Sequence, residues 1–331
     1  MVDFTQAIAA SAATEGVIIK ALPKVPGRVA HIDGDYLCYY ASGNDECEPG
    51  TARAIALDFV QKTLDRTGSN KVIMHLTASN CHKGERYLAA TVKKYQEQRS
   101  GSRRPKNWAY LREWSEGYTG DAFTTKVWAS READDGIAAC ARFAVKSGRL
   151  DAIVTADKDM RMLPGVHLCW KDHDILTTVP DNTWSIFGRD GKLYGDKWFW
   201  LQMLHGDTAD NIPGLEFVFT GGDGTGKPLK QSKVGPKTAE QLLGGVEDNV
   251  HAYRIVSESY WRSYRGQADE KGYDRFCEQA CLLWLRQDNK AEVTSFAQKW
   301  GYLFDEKMWA AVARLDTRVK EARATINALG S

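Results

Sequence analysis

The chain of 331 residues is 43% hydrophobic and 26% charged, with a formal net charge of +1, which excludes a disordered or uniformly polybasic protein. Any basic surface must therefore be a local patch. No apolar run is long enough to predict a membrane span, and seven scattered cysteines without a CxxC pair argue against a disulfide framework or a zinc site and for a reducing cytoplasm.

Residues 1–26 read as an N-terminal extension, a short helix and a Pro/Gly linker, lacking the basic start and apolar run of a signal peptide. Val29–Ile32 is a short buried strand that breaks at Asp33-Gly34. Residues 51–65 carry apolar side chains at helical spacing. Lys71–Thr77 and Lys126–Trp128 read as the second and third strands, a fourth ends near Thr155, and Val166–Trp170 is a fifth. Strands alternating with helices predict an α/β fold, a mostly parallel sheet with helices on both faces. Residues 174–179 and 183–195 read as shorter strands and a turn, and from about Lys197 onward helix dominates. The stretch "GGDGTGKP" (221–228) matches a phosphate-loop pattern, but Pro228 stands where Ser or Thr is required and no strand precedes it, so it reads as a loop.

Carboxylates collect where these strands end. Asp33 and Asp35 follow the first strand. Glu132, Asp134 and Asp135 occupy the first helical turn after the third. Asp157 and Asp159 follow the fourth, and Asp207 and Asp210 follow the helix "DKWFWLQML". Taken singly, each group also reads as a helix start, with Ser130 capping "EADD", or as a turn. In a parallel sheet, however, all these strand ends lie on one edge, where ligands bind. So many acids on one edge repel unless cations neutralise them, and carboxylate oxygens suit Mg²⁺ or Mn²⁺. Two such ions about 4 Å apart form a clamp for phosphodiester hydrolysis, one activating water and the other stabilising the leaving oxygen.

Residues 81–106 hold eight Lys and Arg against two Glu: Lys83, Arg86, Lys93, Lys94, Arg99, Arg103, Arg104 and Lys106. Tyr87, Tyr95, Trp108 and Tyr110 interleave or follow. Cations for phosphates and rings for bases suggest single-stranded nucleic acid; a solvated helix with a loop is the plainer alternative. Downstream, "SKVGPKTAEQLL" puts Gly235 before a helix start, with Lys233 and Lys237 able to hold a phosphate of duplex DNA and Lys227 and Lys230 adding positive charge.

"IDGD", "EADD", "TADKD", "GDTADNIPG" and "VGPKTAEQLL", in this order, resemble the 5′-nuclease (flap endonuclease) family over roughly residues 28–245, and the chain looks most like the compact 5′→3′ exonucleases of podophages. The resemblance implies a PIN-like nuclease domain (27–206) with a helical arch at about 81–114. A helical DNA-binding region (207–331) would follow, with a helix–two-turn–helix motif that often binds K⁺. It implies two divalent ions, the first served by Asp33, Glu132, Asp134 and Asp135, the second by Asp157, Asp159, Asp207 and Asp210, with Arg99 positioning the phosphate. Lys83, Arg86, Lys93, Lys94, Tyr95, Arg99, Arg103, Arg104, Lys233, Gly235 and Lys237 would contact DNA. The expected activity is metal-dependent 5′→3′ exonuclease and flap endonuclease action on DNA 5′ ends, flaps or gaps, by a monomer in the host cytoplasm if phage-encoded. A structure-selective DNA-binding protein with little catalysis and a PIN-type ribonuclease are the alternatives. Two departures stand out. Ala78 occupies the position of an expected Asp after the second strand, with Asp35 a candidate substitute. Gln96 replaces a Lys in the arch pattern that Tyr95 and Arg99 retain, with Lys93 or Lys94, one helical turn earlier, a candidate replacement.

Overall fold

The near-continuous apolar runs of the sequence become the central strands of a sheet covered on both faces, as burial on two sides demands. The structure, a computed structural model, describes residues 21–99, 101, 103–220, 230–264, 267 and 270–329. The expected N-terminal helix before residue 21 and the glycine loop 221–228 lie outside the described residues. The strands are Val29–Asp33 (β1), Lys71–Thr77 (β2), Thr124–Trp128 (β3), Ala152–Thr155 (β4), Gly165–Cys169 (β5) and Leu176–Val179 (β6). They lie in the order β3-β2-β1-β4-β5-β6. The first five run parallel and β6 is antiparallel to β5.

Helices Gly34–Ala41, Pro49–Thr67 and Trp108–Glu116 contribute to one core, with Leu37, Phe59 and Leu111 buried against Ile32, Met74 and Leu76. Helix Ala133–Lys146 shares the other with the helices Asp196–His205, Asn249–Ser263 and Lys271–Leu283, around Ile137, Phe199, Trp200, Phe276 and Trp300. At Gly34 a Cβ would come within 2.6–2.7 Å of Leu76, Met74 and the His75 carbonyl, so only glycine lets the first helix start this close to β2. That closeness fixes where Asp33 and Asp35 project.

Helix dominates after Lys197 as expected, with an antiparallel pair, Phe217–Thr220 and Lys230–Lys233, before the short helix Pro236–Leu242. One expectation changes. Segment 81–114 is no continuous helical arch. It contains a turn at Lys83–Glu85, a four-residue helix Arg86–Ala89, a turn at Glu97–Arg99 and then the helix Trp108–Glu116, the other described residues between them being irregular. Lys83, Glu85 and Gln96 have positive φ, which breaks helical continuity. Lys93 and Lys94 therefore lie on exposed irregular chain rather than one helical turn before Gln96. Among the described residues no helix is long and apolar enough to cross a membrane.

Candidate functional site

The strand order reverses between β1 and β4, and a crevice opens at their carboxyl ends, where open α/β sheets bind ligands. Asp33 ends β1. Its carboxylate accepts the Tyr36 amide at 3.0 Å and the Thr155 hydroxyl of β4 at 3.0 Å, tying the two strand ends together. Asp157 follows β4 and accepts the Asp159 amide at 2.8 Å. Asp134, in the first turn of helix Ala133–Lys146, feels the charges of Asp33, Asp157, Glu132 and Asp35, and its carboxylate has no hydrogen-bond partner among the described residues. Burial pushes the Asp33 carboxyl up to about 7, with repulsion from Asp35 and Asp157 adding to it. Burial and then Asp33 hold Asp134 well above the usual carboxylate range, and burial raises Asp157.

The other half of the crevice holds Asp159, Asp207 and Asp210, whose ligating oxygens lie within 4.8 Å of one another. Asp159 accepts the Gln202 amide at 2.6 Å, and Asp207 accepts the Ala209 amide at 2.8 Å. Burial and then Asp157 push Asp159 well above the usual range. The fold thus gathers Asp33, Glu132, Asp134, Asp157, Asp159, Asp207 and Asp210 from chain positions up to 177 residues apart. Every candidate donor is a hard carboxylate oxygen, and the raised carboxyls mark charge the protein alone compensates incompletely. This donor set fits Mg²⁺ or Mn²⁺ and not a soft metal.

Three assignments are corrected. Asp135 is fully buried and spends its oxygens on Arg86, at 2.7 and 2.8 Å, and on the Arg286 amide at 2.8 Å. Burial pushes its carboxyl up, but Arg86 and then Arg286 outweigh that and hold it below the usual range. It is a structural ion pair, not an open ligand. Arg86, only 3% exposed, also donates to the Leu282 and Trp284 carbonyls and has no face left for DNA. The helix cap is Glu132 rather than Ser130.

Segment 94–99 is docked on the turn after helix Asp196–His205. The Gln96 amide donates to the Asp210 carbonyl, Asn211 donates to the Lys94 carbonyl, and Arg99 pairs with the Asp210 carboxylate. The Tyr95 hydroxyl donates to Glu132 at 2.8 Å and lies 3.2 Å from Asp210, so its polar end serves the acids. Gln96 reaches both Glu132 and Asp210 at 3.1 Å, and Lys83 donates to Gln96 at 2.7 Å. Lys93, Lys94, Arg103 and Arg104 are exposed, with Lys94 3.7 Å from Glu97, Arg103 paired to Asp45 and Arg104 over the Trp108 ring. Lys233 and Lys237 are exposed on either side of Gly235, away from the acidic crevice in the sequence and joined to it by no hydrogen bond among the described residues.

The fold also collects His31, His75 and Cys140 beneath helix Ala133–Lys146, a grouping that sequence spacing does not suggest. The Trp128 indole donates to His75 Nδ1 at 3.0 Å, which leaves the proton on Nε2. That proton bridges to His31 Nδ1 at 2.9 Å, and His31 Nε2 donates to Asp151 at 3.3 Å. Each imidazole nitrogen is committed to this chain, so the grouping is a buried hydrogen-bond relay rather than a metal centre.

No family model matches the chain. Over 116 residues it is 34% identical to DNA polymerase I of Rhizobium leguminosarum, a match covering 34% of this chain and 9% of that protein. Over 131 residues it is 29% identical to the thermostable DNA polymerase I of Thermus aquaticus, covering 35% of this chain and 15% of that protein. In each case the match spans well under a fifth of the curated relative. Among solved structures the chain is similar to the T5 D15 protein co-crystallised with metal ions (12% identity, TM-score 0.46, covering 89% of this chain and 98% of that one). It is also similar to the bacteriophage T5 D15 flap endonuclease in a complex with DNA and metal ions (12% identity, TM-score 0.49, covering 88% and 99%).

Both departures from the 5′-nuclease pattern have a structural counterpart. Asp35 does reach the end of β2 beside Ala78, where both its oxygens lie 3.2 Å from the Thr77 amide, but Arg112 already pairs with it. Gln96 keeps its polar contact with the acids while lacking the charge of a lysine. Sequence reasoning missed Lys158, Gln202, Arg112 and Arg286. Lys158 sits inside a motif read for its acids. The other three lie far along the chain from Asp159, Asp35 and Asp135, which they contact, and only the fold reveals those contacts.

Proposed function

We propose that the protein is a divalent-metal-dependent 5′-nuclease that hydrolyses DNA phosphodiesters at or near 5′ ends and flaps. The observation that supports this most is the convergence of Asp33, Asp134 and Asp157 with Asp159, Asp207 and Asp210 at the reversal point of a parallel sheet. In this reading the first three residues hold one Mg²⁺ or Mn²⁺ and the second three the other, so Asp157 moves from the expected second set to the first and Glu132, held by Arg86, Tyr95 and Gln96, leaves it. Bound there, the ions would neutralise the phosphodiester and polarise it toward attack by water.

The chain's own residues supply the rest. Asp33 and Thr155 keep the two strand ends in register, and Asp135 with Arg86 fixes the helix start that presents Asp134. Arg99, docked beside Asp210, is placed to meet the phosphate once its carboxylate partner turns to a cation. Exposed Lys93, Lys94, Arg103 and Arg104 offer a sequence-independent path for the unpaired 5′ strand. Lys233 and Lys237 would hold the duplex. Among the described residues, its chain neighbours aside, no atom lies within 4 Å of where a Gly235 Cβ would sit, so a phosphate backbone has room to approach.

The test is digestion of 5′-labelled flapped and blunt duplexes with Mg²⁺ or Mn²⁺. The wild-type protein is expected to release labelled product, and Asp157→Asn to lose turnover by about a hundredfold or more while still binding DNA. Absence of product from the wild-type protein at every metal concentration would overturn the reading and leave a DNA-binding protein.

A further inference from the structure

Asp157, Lys158 and Asp159 alternate directly after β4, yet the cation between the two acids does not simply face solvent. Lys158 Nζ lies 2.5 Å from Asp207 and 3.4 Å from Asp159. Those carboxylates belong to the group whose oxygens approach within 4.8 Å, and the third member, Asp210, is paired with Arg99. An ammonium and a guanidinium thus take lone pairs that a divalent ion would use. Among the described residues the Asp33, Asp134 and Asp157 half has no direct ion pair: Asp33 accepts an amide and a hydroxyl, Asp134 has no hydrogen-bond partner, and Lys158 acts on Asp157 only through its field. The crevice is electrostatically lopsided.

We infer that Lys158 is the resident counter-ion of the Asp159, Asp207 and Asp210 half and sets that half's affinity for divalent cations. This rests on the metal reading above. A divalent ion enters the uncompensated half first, and the second half fills when the ammonium swings out. The Lys158 side chain is 31% exposed and ends a flexible four-carbon stem, so a route outward exists. A doubly charged ion facing three carboxylates outcompetes a single ammonium, but the lost charge-assisted bonds weaken its net binding. The two halves therefore behave as one tight and one weak class.

The experiment is calorimetric titration of the full chain with Mn²⁺, without DNA, near neutral pH. The wild-type protein is expected to show both classes. Lys158→Met should tighten the weak class about tenfold or more and leave the tight class unchanged. Lys158→Arg keeps the charge and should keep the weak class weak, and Lys158→Gln neutralises the charge with a polar head should methionine disturb packing. Asp134→Asn should abolish the tight class. If both neutral variants fold, as judged by circular dichroism, and leave the weak class unchanged while Asp134→Asn removes the tight one, the inference about Lys158 is wrong and the metal reading stands. If the wild-type protein takes up no Mn²⁺ at either half, the metal reading itself fails.

Discussion

Arg86 and Asp135 share two parallel hydrogen bonds of 2.8 and 2.7 Å beneath the acidic crevice, with both side chains buried. Through them, residues 83–89, the first turn of helix Ala133–Lys146 and the Leu282–Arg286 stretch meet at one point, because Arg86 also donates to two carbonyls and Asp135 accepts the Arg286 amide. A buried ion pair adds little net stability, but breaking it strands a charge. Arg86→Met should therefore cost about 3–5 kcal/mol in urea unfolding, and the double variant with Asp135→Leu should recover much of that. A single-variant loss under about 1 kcal/mol would show that Asp135 finds another partner.

The carboxylates above that pair are predicted to destabilise the metal-free protein. Burial raises Asp33 to about 7, well above its ordinary value of 3.8. A group raised on folding favours the native state below its unfolded pKa, and that contribution is lost as pH climbs from about 4 through about 7. With chelator at pH 8, Asp33→Asn should therefore stabilise the chain by up to about 4 kcal/mol, with almost no effect near pH 4. Asparagine can still accept the Tyr36 amide, so the helix cap survives. Thermal melts with chelator and with Mn²⁺ check this: divalent ions should reverse the order of stability, favouring the wild-type protein.

The same carboxyl couples cation uptake to protons. Below about pH 7 Asp33 carries a proton that a divalent ion must expel. Affinity in that range should fall about tenfold per pH unit for each proton released. Calorimetry at pH 6 in buffers of different ionisation enthalpy reads the release directly. A binding enthalpy indifferent to the buffer would mean that Asp33 is already ionised or takes no part.

What was legible in the sequence follows from how local each signal is. β1 and β2 could be read because their apolar runs are dictated by burial within a few residues. β3 begins two residues before the expected Lys126, since Thr124 and Thr125 sit on an exposed edge strand and carry no apolar signature. The convergence of acids was readable because a parallel sheet places all its strand ends on one edge, whatever their separation along the chain. Arg86 was misread because its partner Asp135 lies 49 residues away, and composition alone cannot say which way a basic side chain turns. The broken helix of segment 81–114 went unread for a related reason. The positive φ at Lys83, Glu85 and Gln96 goes with contacts to residues 130, 132 and 210, which local helix propensity does not encode.

An opposing pH limb arises on the other side of the sheet crevice. His167 of β5 is 6% exposed, lies 2.9 Å from the Leu163 carbonyl and packs on the Tyr194 ring. Burial pushes its imidazole down from 6.5 to about 4. Between those values the unfolded chain binds a proton that the native chain refuses. The stability present above about pH 6.5 is therefore lost as pH falls toward 4, by about 3 kcal/mol in total. His75 acts in the same direction, lowered by burial and then by His31 and Lys126. Asp33 titrates with the opposite sign over nearly the same range, and Asp134, Asp157 and Asp159 are raised as well, so the His167 limb is read from the difference between variant and wild-type protein. His167→Gln, which can still donate to the Leu163 carbonyl, removes one limb. Its stability relative to the wild-type protein should rise by about 2–3 kcal/mol between pH 7 and pH 4.5 in urea unfolding. A difference that does not change with pH would show that His167 titrates alike in the folded and unfolded chains.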